Sequence, residues 1–246
     1  MRRISTLIVA ILWSAIAAAA GGHGPALEKA NVDLANKMSL QRGAKLFVNY
    51  CVSCHSASFM RYNRIGKDLE LSDEAVQTNL MFTTNKIGDL MTVAMSPTDA
   101  ETWFGVAPPD LSVIARSRGP DWLYNFLLNF YIDEGKPTGV NNLIFKDTAM
   151  PHVLWELQGL QRIVHGTEET VEGGHATPDH LEIAVPGKLN ESEYKQAVRD
   201  LVGFLVYVGE PAKLVRYRIG FWVIVFLLIL LVPAYLMKRE YWKDVH

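Results

Sequence analysis

The sequence predicts a mainly α-helical domain with long loops, followed by one C-terminal transmembrane helix. Three observations lead there. Apolar residues recur with helical spacing in three well-separated segments, whereas the alternation of strands is scarce. The stretches between those segments are long and rich in Gly, Pro and Asn. An uncharged apolar run stands near each end of the chain. The 246 residues allow one or two domains. The mean hydropathy of +0.08 is high for a chain without a membrane segment.

The first apolar run, Ile4 to Ala20, follows Met1-Arg2-Arg3 and ends in four alanines before Gly21. A basic start, a short apolar core and small residues before a break describe a secretory signal peptide over 1–20, cleaved near Ala20. The second run, Ile219 to Met237, has 19 residues and no charge. As a helix it would be roughly 28 Å long, close to the thickness of bilayer hydrocarbon. Tyr217, Trp222, Tyr235, Tyr241 and Trp242 stand near its ends, where aromatic rings prefer the membrane interface. A transmembrane helix is therefore expected over 217–237, with Pro233 a point where it can kink. Bases flank both sides, so loop charge does not set the orientation. The leader does: it exports residues 21–212 and leaves the tail, 238–246, in the cytoplasm.

Between the ends, Ser39 is expected to cap a helix in which Leu40, Ala44, Phe47 and Cys51 share one face. Gly119-Pro120 opens a second, with Trp122, Leu123, Phe126, Leu127, Phe130 and Tyr131 at helical spacing. Asn190 and Glu193 resemble a capping box for a third, which holds Val198, Leu201, Val202 and Leu205 together and stops before Gly209-Glu210-Pro211. Residues 132–152 and 166–180 read as loops, and Leu181 to Val185 as a short strand. Loops this long in a compact domain are usually functional or packed on something, and a bulky prosthetic group would account for them.

The charge is unevenly placed. The chain is −2 overall, yet residues 21–212 carry 24 acids against 16 bases, a net of −8. That excludes nucleic acid as a partner and favours a basic protein. From Gly166 to Pro186 there are five acids, Glu168, Glu169 and Glu172 among them, and no Lys or Arg. The two cysteines exclude a disulfide-dense scaffold and a four-cysteine zinc site.

Those two cysteines form Cys51-Val52-Ser53-Cys54-His55. Cys-x-x-Cys-His is the signal for covalent attachment of one haem c. The thiols of Cys51 and Cys54 add to the two vinyl groups, and the adjacent imidazole of His55 becomes an axial ligand of the iron. A thioredoxin-like pair would want a βαβ context that is missing, and zinc would need further ligands. The sixth ligand decides between an open site that binds small molecules and a closed one that carries electrons. Met60 is too near His55 to cross the haem, and Met81 and Met91 sit in helix-compatible apolar patterns. Met95 and Met150 lie in irregular chain, and position alone puts Met150 ahead of Met95; His152, His165, His175 and His180 are further options, of which His180 and its neighbours sit in an acidic loop and read as solvated.

Together with the motif and the tail anchor, several further segments resemble the cytochrome c1 family, the haem subunits of cytochrome bc1 complexes. They are Gln41-Arg42-Gly43-Ala44, Met60-Arg61-Tyr62, Ala107-Pro108-Pro109-Asp110-Leu111-Ser112 with Ile114-Ala115-Arg116, Asp121-Trp122-Leu123-Tyr124, Thr148-Ala149-Met150-Pro151 and Gly209-Glu210-Pro211. The resemblance covers nearly the whole mature chain. It implies a c-type cytochrome fold with long loop insertions and makes His55 and Met150 the axial ligands. It also implies that Pro108, Pro109 and Leu111 pack on the haem and that Arg116 faces a propionate. His152 departs from the Pro or Ala that many relatives have there.

The resemblance further implies a one-electron relay without a catalytic residue of its own. The haem takes an electron from a Rieske iron–sulfur protein and passes it to a c-type cytochrome, beside cytochrome b in a dimeric complex. The short leader places that complex in a bacterial inner membrane, in contact with membrane lipid, with the haem domain in the periplasm. Glu168, Glu169 and Glu172, and a second acidic cluster of Asp68, Glu70, Asp73 and Glu74, are candidates for steering a basic acceptor. Two other readings remain: a membrane-anchored cytochrome c outside such a complex, and a haem sensor with an open sixth position.

Overall fold

In the computed structural model the described residues are 27–93, 95–164 and 180–243. The leader, the Gly21–Pro25 lead-in, Glu168, Glu169, Glu172 and the last three residues lie outside them. The described elements are α1 (Lys37–Tyr50), β1 (Ala57–Arg61), α2 (Tyr62–Leu69), α3 (Asp73–Leu80), β2 (Leu90–Met91), α4 (Pro97–Phe104), α5 (Ile114–Ser117), α6 (Pro120–Leu128), β3 (Phe130–Ile132), β4 (Val140–Asn142), α7 (Trp155–Gln158), β5 (Gly159–Val164), β6 (His180–Pro186), α8 (Glu191–Gly209) and α9 (Lys213–Tyr241). The strands pair two by two and antiparallel, β1 with β2, β3 with β4 and β5 with β6. The mainly helical fold is as expected, and the strands are short clips between helices.

The centre of the domain is the crossing of α1 and α8. Phe47 and Phe204 meet there with ring centroids 5.6 Å apart, and both are fully buried. A Cβ on Gly43 would lie 2.1 Å from the carbonyl oxygen of Asp200 and 2.7 Å from Cβ of Phe204, so only glycine permits this approach. Beside the crossing the buried carboxylate of Asp200 accepts from Ser39 Oγ at 2.5 Å, from Arg42 Nε at 2.5 Å and Nη2 at 3.1 Å, and from Gln196 Nε2 at 2.9 Å. A buried charge with this many donors is held rather than stranded. Helix α6 packs on α8 next to it, and the buried hydroxyl of Tyr194 donates to the Leu127 carbonyl at 2.8 Å.

Four local expectations are corrected. Asn36, not Ser39, caps α1: its side chain accepts the Ser39 N–H at 3.1 Å, while the Ser39 hydroxyl is taken by Asp200. Phe130 and Tyr131 leave the helix after Leu128 and form β3, because they pair with Asn142 and Asn141 of β4, inside the stretch expected to be loop. Met91 lies in β2, and Met81 just past the end of α3. Helix α8 includes Gly209 and is capped by Glu210. The expected capping box of Asn190 and Glu193, Pro120 at the start of α6 and the strand at Leu181–Val185 are all present.

Helix α9 runs for 29 residues with no buried side chain, and it is long and apolar enough to cross a membrane. It outruns the expected span because its first turn continues through the flanking bases, where Arg216 pairs with Glu210 at 2.5 Å. The chain is thus anchored by a single C-terminal span among its described residues.

Replacing Gly43 with Ala forces α1 and α8 apart, and the expected cost is about 3 kcal/mol or more. Denaturant unfolding of the haem-loaded full chain in detergent measures it. A variant that unfolds at the wild-type denaturant concentration would mean that the crossing tolerates a methyl group and is looser than described.

Candidate haem-attachment site

Helix α1 hands the chain directly to the motif. Beyond Tyr50 the backbone makes one more turn, in which the N–H groups of Cys54 and His55 both donate to the Cys51 carbonyl, at 3.1 and 2.8 Å. Cys51, Cys54 and His55 therefore stand on a single turn at the end of a helix whose position is set by the α8 crossing. Both cysteines are free, Cys51 buried and Cys54 half-buried. Burial, and secondarily the neighbouring Cys54, pushes the Cys51 thiol up to about 12. Among the described residues the motif follows α1 and leads into the short antiparallel β1–β2 pair, not the βαβ context a thioredoxin-like pair would want. Among the described residues no three His, Cys, Asp or Glu side chains gather to hold a bare metal ion, so zinc is not favoured either.

The imidazole of His55 is set by one contact. Its Nδ1 lies 2.7 Å from the Pro109 carbonyl oxygen. A carbonyl only accepts, so Nδ1 carries the proton and Nε2 keeps its lone pair. Burial lowers the His55 pKa, against smaller raising effects from Pro109 and Asp110, and favours the neutral ring. A neutral imidazole with Nδ1 bonded to a backbone carbonyl and Nε2 unprotonated is a metal ligand in waiting. Two free thiols on the same turn complete the donor set for a covalent haem, so these residues fit that group.

The segment that supplies Pro109 is stapled to the strand after the motif. The Leu111 N–H donates to the Ser56 carbonyl at 2.8 Å, and the Phe59 N–H to Ser112 Oγ at 3.0 Å. Asp110 accepts from the Ser58 N–H at 2.9 Å and the Ser112 N–H at 2.7 Å. Burial works to raise the Asp110 pKa, but these bonds outweigh it and hold the carboxyl below its usual range. Ser56 also accepts the Val93 N–H on its hydroxyl at 2.9 Å. A cavity of about 390 Å³ opens here, with Cys54, Ser56, Met95, Pro108 and Asp110 in its lining.

Met150 is half-buried against the main core, in irregular chain as expected. The loop that carries it is built by two buried asparagines. Asn142 Oδ1 accepts from the N–H groups of Ile144 and Phe145, and Asn141 Oδ1 from that of Asp147. Asn142 Nδ2 anchors the loop to the Phe126 carbonyl at 2.7 Å. On the far side His152 stacks on Phe130, with centroids 5.0 Å apart and planes within 8°. Burial lowers the His152 pKa to about 4, so the ring is neutral and serves as an aromatic wedge.

Of the residues expected at the site, Cys51, Cys54, His55 and Pro109 come together directly, Leu111 is joined to Ser56, and Pro108 shares the cavity with Cys54. Met95 lines that cavity too. Arg116 is exposed, its stem lying over Gly209, beside Glu210 at the end of α8. Asp110 and Ser112 stand in a segment that carries the resemblance but have no role assigned from sequence, and Asn141 and Asn142 are not singled out there at all. Their signal was present as side chains suited to bonding nearby backbone in stretches without periodicity.

The chain matches known proteins along its length. A family model described as the Cytochrome C1 family matches residues 29–174 and 188–245. A cytochrome c1 of Allochromatium vinosum is 49% identical, covering all of both chains. A protein of Nitrosomonas europaea named ammonia monooxygenase gamma subunit is 47% identical, again over all of both. A cytochrome c1 of Rhodospirillum rubrum is 23% identical over 84% of this chain and 81% of that one.

Proposed function

The chain belongs to the cytochrome c1 family, and from that premise we propose that its haem domain relays single electrons from a Rieske iron–sulfur protein to a c-type cytochrome. Family membership makes it an electron-transfer haem subunit of a bc1-type complex, with covalently bound haem c and a single-pass anchor. The observation that supports a ligated haem at the centre of this reading is the His55 tautomer, held by the Pro109 carbonyl at 2.7 Å on the turn that bears both thiols.

When bound, the haem supplies a one-electron couple between ferric and ferrous iron. The chain does the rest. Cys51 and Cys54 tether the group, so that it is not lost outside the cell, and with both thiols used there is one haem. His55 lends its Nε2 lone pair, and Pro109 keeps the ring from rotating. Met150, on the loop built by Asn141 and Asn142, would be the residue that holds the iron opposite His55, and a thioether there would close the iron to small molecules and raise its potential. Pro108, Pro109 and Leu111 would shield the group, and Arg116 would face a propionate. The partners are cytochrome b, the Rieske protein and a c-type cytochrome, in a dimeric complex of a bacterial inner membrane. The haem domain lies in the periplasm and the tail in the cytoplasm. Glu168, Glu169 and Glu172 steer the basic acceptor.

A second reading is prompted by the name of the Nitrosomonas relative, in which the same relay would serve an ammonia monooxygenase. Affinity purification from mild detergent separates the two: the proposed reading expects cytochrome b and the Rieske protein with the chain, and their replacement by monooxygenase subunits would overturn it.

Redox titration with carbon monoxide tests the ligand. Wild type is expected to be reduced by ascorbate and to ignore carbon monoxide, as is Met95→Leu, whereas Met150→Leu falls in potential and binds the gas. Carbon monoxide binding by wild type would favour the open-site sensor, and a change in Met95→Leu alone would transfer the ligand to Met95. Reversing Glu168, Glu169 and Glu172 to Lys is expected to flatten the salt dependence of acceptor reduction; an unchanged salt slope would remove the steering role.

A further inference from the structure

A second surface cavity, of about 340 Å³, is lined by Phe59, Arg61, Asn63, Arg64 and Lys67. Three of its five lining side chains are cationic, in a region whose net charge is −8. One acid stands against them: Asp68 pairs with Arg64 at 2.5 Å and accepts the Tyr207 hydroxyl at 2.9 Å. Arg61 donates to the Gly88 carbonyl at 2.5 Å, which orients its guanidinium without neutralising it. Lys67 has no ion-pair partner among the described residues. The cavity thus keeps two positive charges after Asp68 is counted.

Its place in the fold gives those charges a meaning. Tyr207, to which the Arg64–Asp68 pair is tied, lies in the last turn of α8. Six residues on, Lys213 begins the membrane helix, and the Glu210–Arg216 pair holds the start of that helix to the end of α8. Six residues reach at most about 20 Å. The cavity therefore sits at the end of the domain from which the anchor leaves, where Lys213, Arg216 and Arg218 add further bases. On its rim Phe59 is 78% exposed, an aromatic ring of the kind that prefers the membrane interface.

We propose that the Arg61–Arg64–Lys67 cavity binds the phosphate headgroup of one anionic phospholipid, with Phe59 packed beside it. Guanidinium groups present paired donors that match phosphate oxygens, and the Lys67 ammonium adds a point charge. A bilayer surface supplies anionic phosphate at this height, and juxtamembrane bases are drawn to it. The exposed ring favours a lipid over a free phosphate or an acidic protein surface. The inference rests on the membrane anchor and not on the electron relay.

The test uses the haem-loaded full chain, stripped of lipid in non-ionic detergent, with bound lipid counted by native mass spectrometry. Phosphatidylglycerol, phosphatidylcholine and inorganic phosphate are the probes. Wild type is expected to take up one phosphatidylglycerol saturably and to take up phosphatidylcholine far more weakly. Arg61→Gln combined with Lys67→Gln, which leaves the Arg64–Asp68–Tyr207 link in place, is expected to bind phosphatidylglycerol about tenfold more weakly, with an unchanged haem spectrum and melting temperature. Lys213→Gln combined with Arg218→Gln is expected to bind as wild type does. Undiminished binding by the Arg61/Lys67 variant would place the lipid elsewhere and overturn the proposal. So would inorganic phosphate binding as tightly as the lipid, which would make the cavity a free-anion site. No uptake of phosphatidylglycerol by wild type would equally overturn it and leave the charges to an acidic protein partner.

Discussion

The placement of Cys51, Cys54 and His55 depends on how closely α1 approaches α8. With Gly43 against the Asp200 carbonyl, the two backbones touch where a side chain would hold them apart. Close approach brings Phe47 onto Phe204 and lets Ser39 and Arg42 reach one buried carboxylate. Those polar bonds do more than hold the helices together. They set the rotation of α1 about its own axis, because Ser39 and Arg42 lie on one side and the apolar residues Leu40, Ala44 and Phe47 on the adjoining one. A helix whose position and rotation are both set delivers its final turn in one orientation, and that turn carries Cys51, Cys54 and His55.

The imidazole needs a second support, and it comes from a separate stretch of chain. Among the described residues no hydrogen bond ties Pro109 to α1 or α8; its position follows from Asp110, Leu111 and Ser112, which bond to Ser56, Ser58 and Phe59. The strand after the motif therefore serves as a ruler that places the Pro109 carbonyl opposite His55. The site is built from backbone groups and short polar side chains, which have little rotational freedom to lose. A ring held by a long flexible side chain would give up more entropy for the same hydrogen bond.

What the sequence made legible follows from range. The attachment motif, the capping box of Asn190 and Glu193, Pro120 at a helix start and the anchor are all set by neighbours within a few residues. Ser39 shows where such reasoning stops. It is a good capping residue by type, but Asp200, 161 positions away, competes for its hydroxyl and leaves the cap to Asn36. Phe130 and Tyr131 keep helical spacing, yet β4 offers their backbone a partner that local pattern does not reveal. Position put Met150 ahead of Met95 and only the family resemblance chose between them, since both lie in irregular chain and the supports of the Met150 loop, Asn141 and Asn142, have no periodic signature.

The state of Cys51 bears on how the site is used. Burial pushes the Cys51 thiol up to about 12 and so disfavours its thiolate. A thioether has no proton to lose and is apolar, so the same pocket that penalises a thiolate accepts a thioether without electrostatic cost. His55 follows the same logic from the other side. Burial disfavours its cation, and the Pro109 carbonyl decides which nitrogen keeps the proton, so the ring nitrogen left with an available lone pair is Nε2. Both effects select neutral, apolar attachments over charged ones. That is the environment in which an axial ligand and the burial around it, rather than solvent, set the potential of a bound iron.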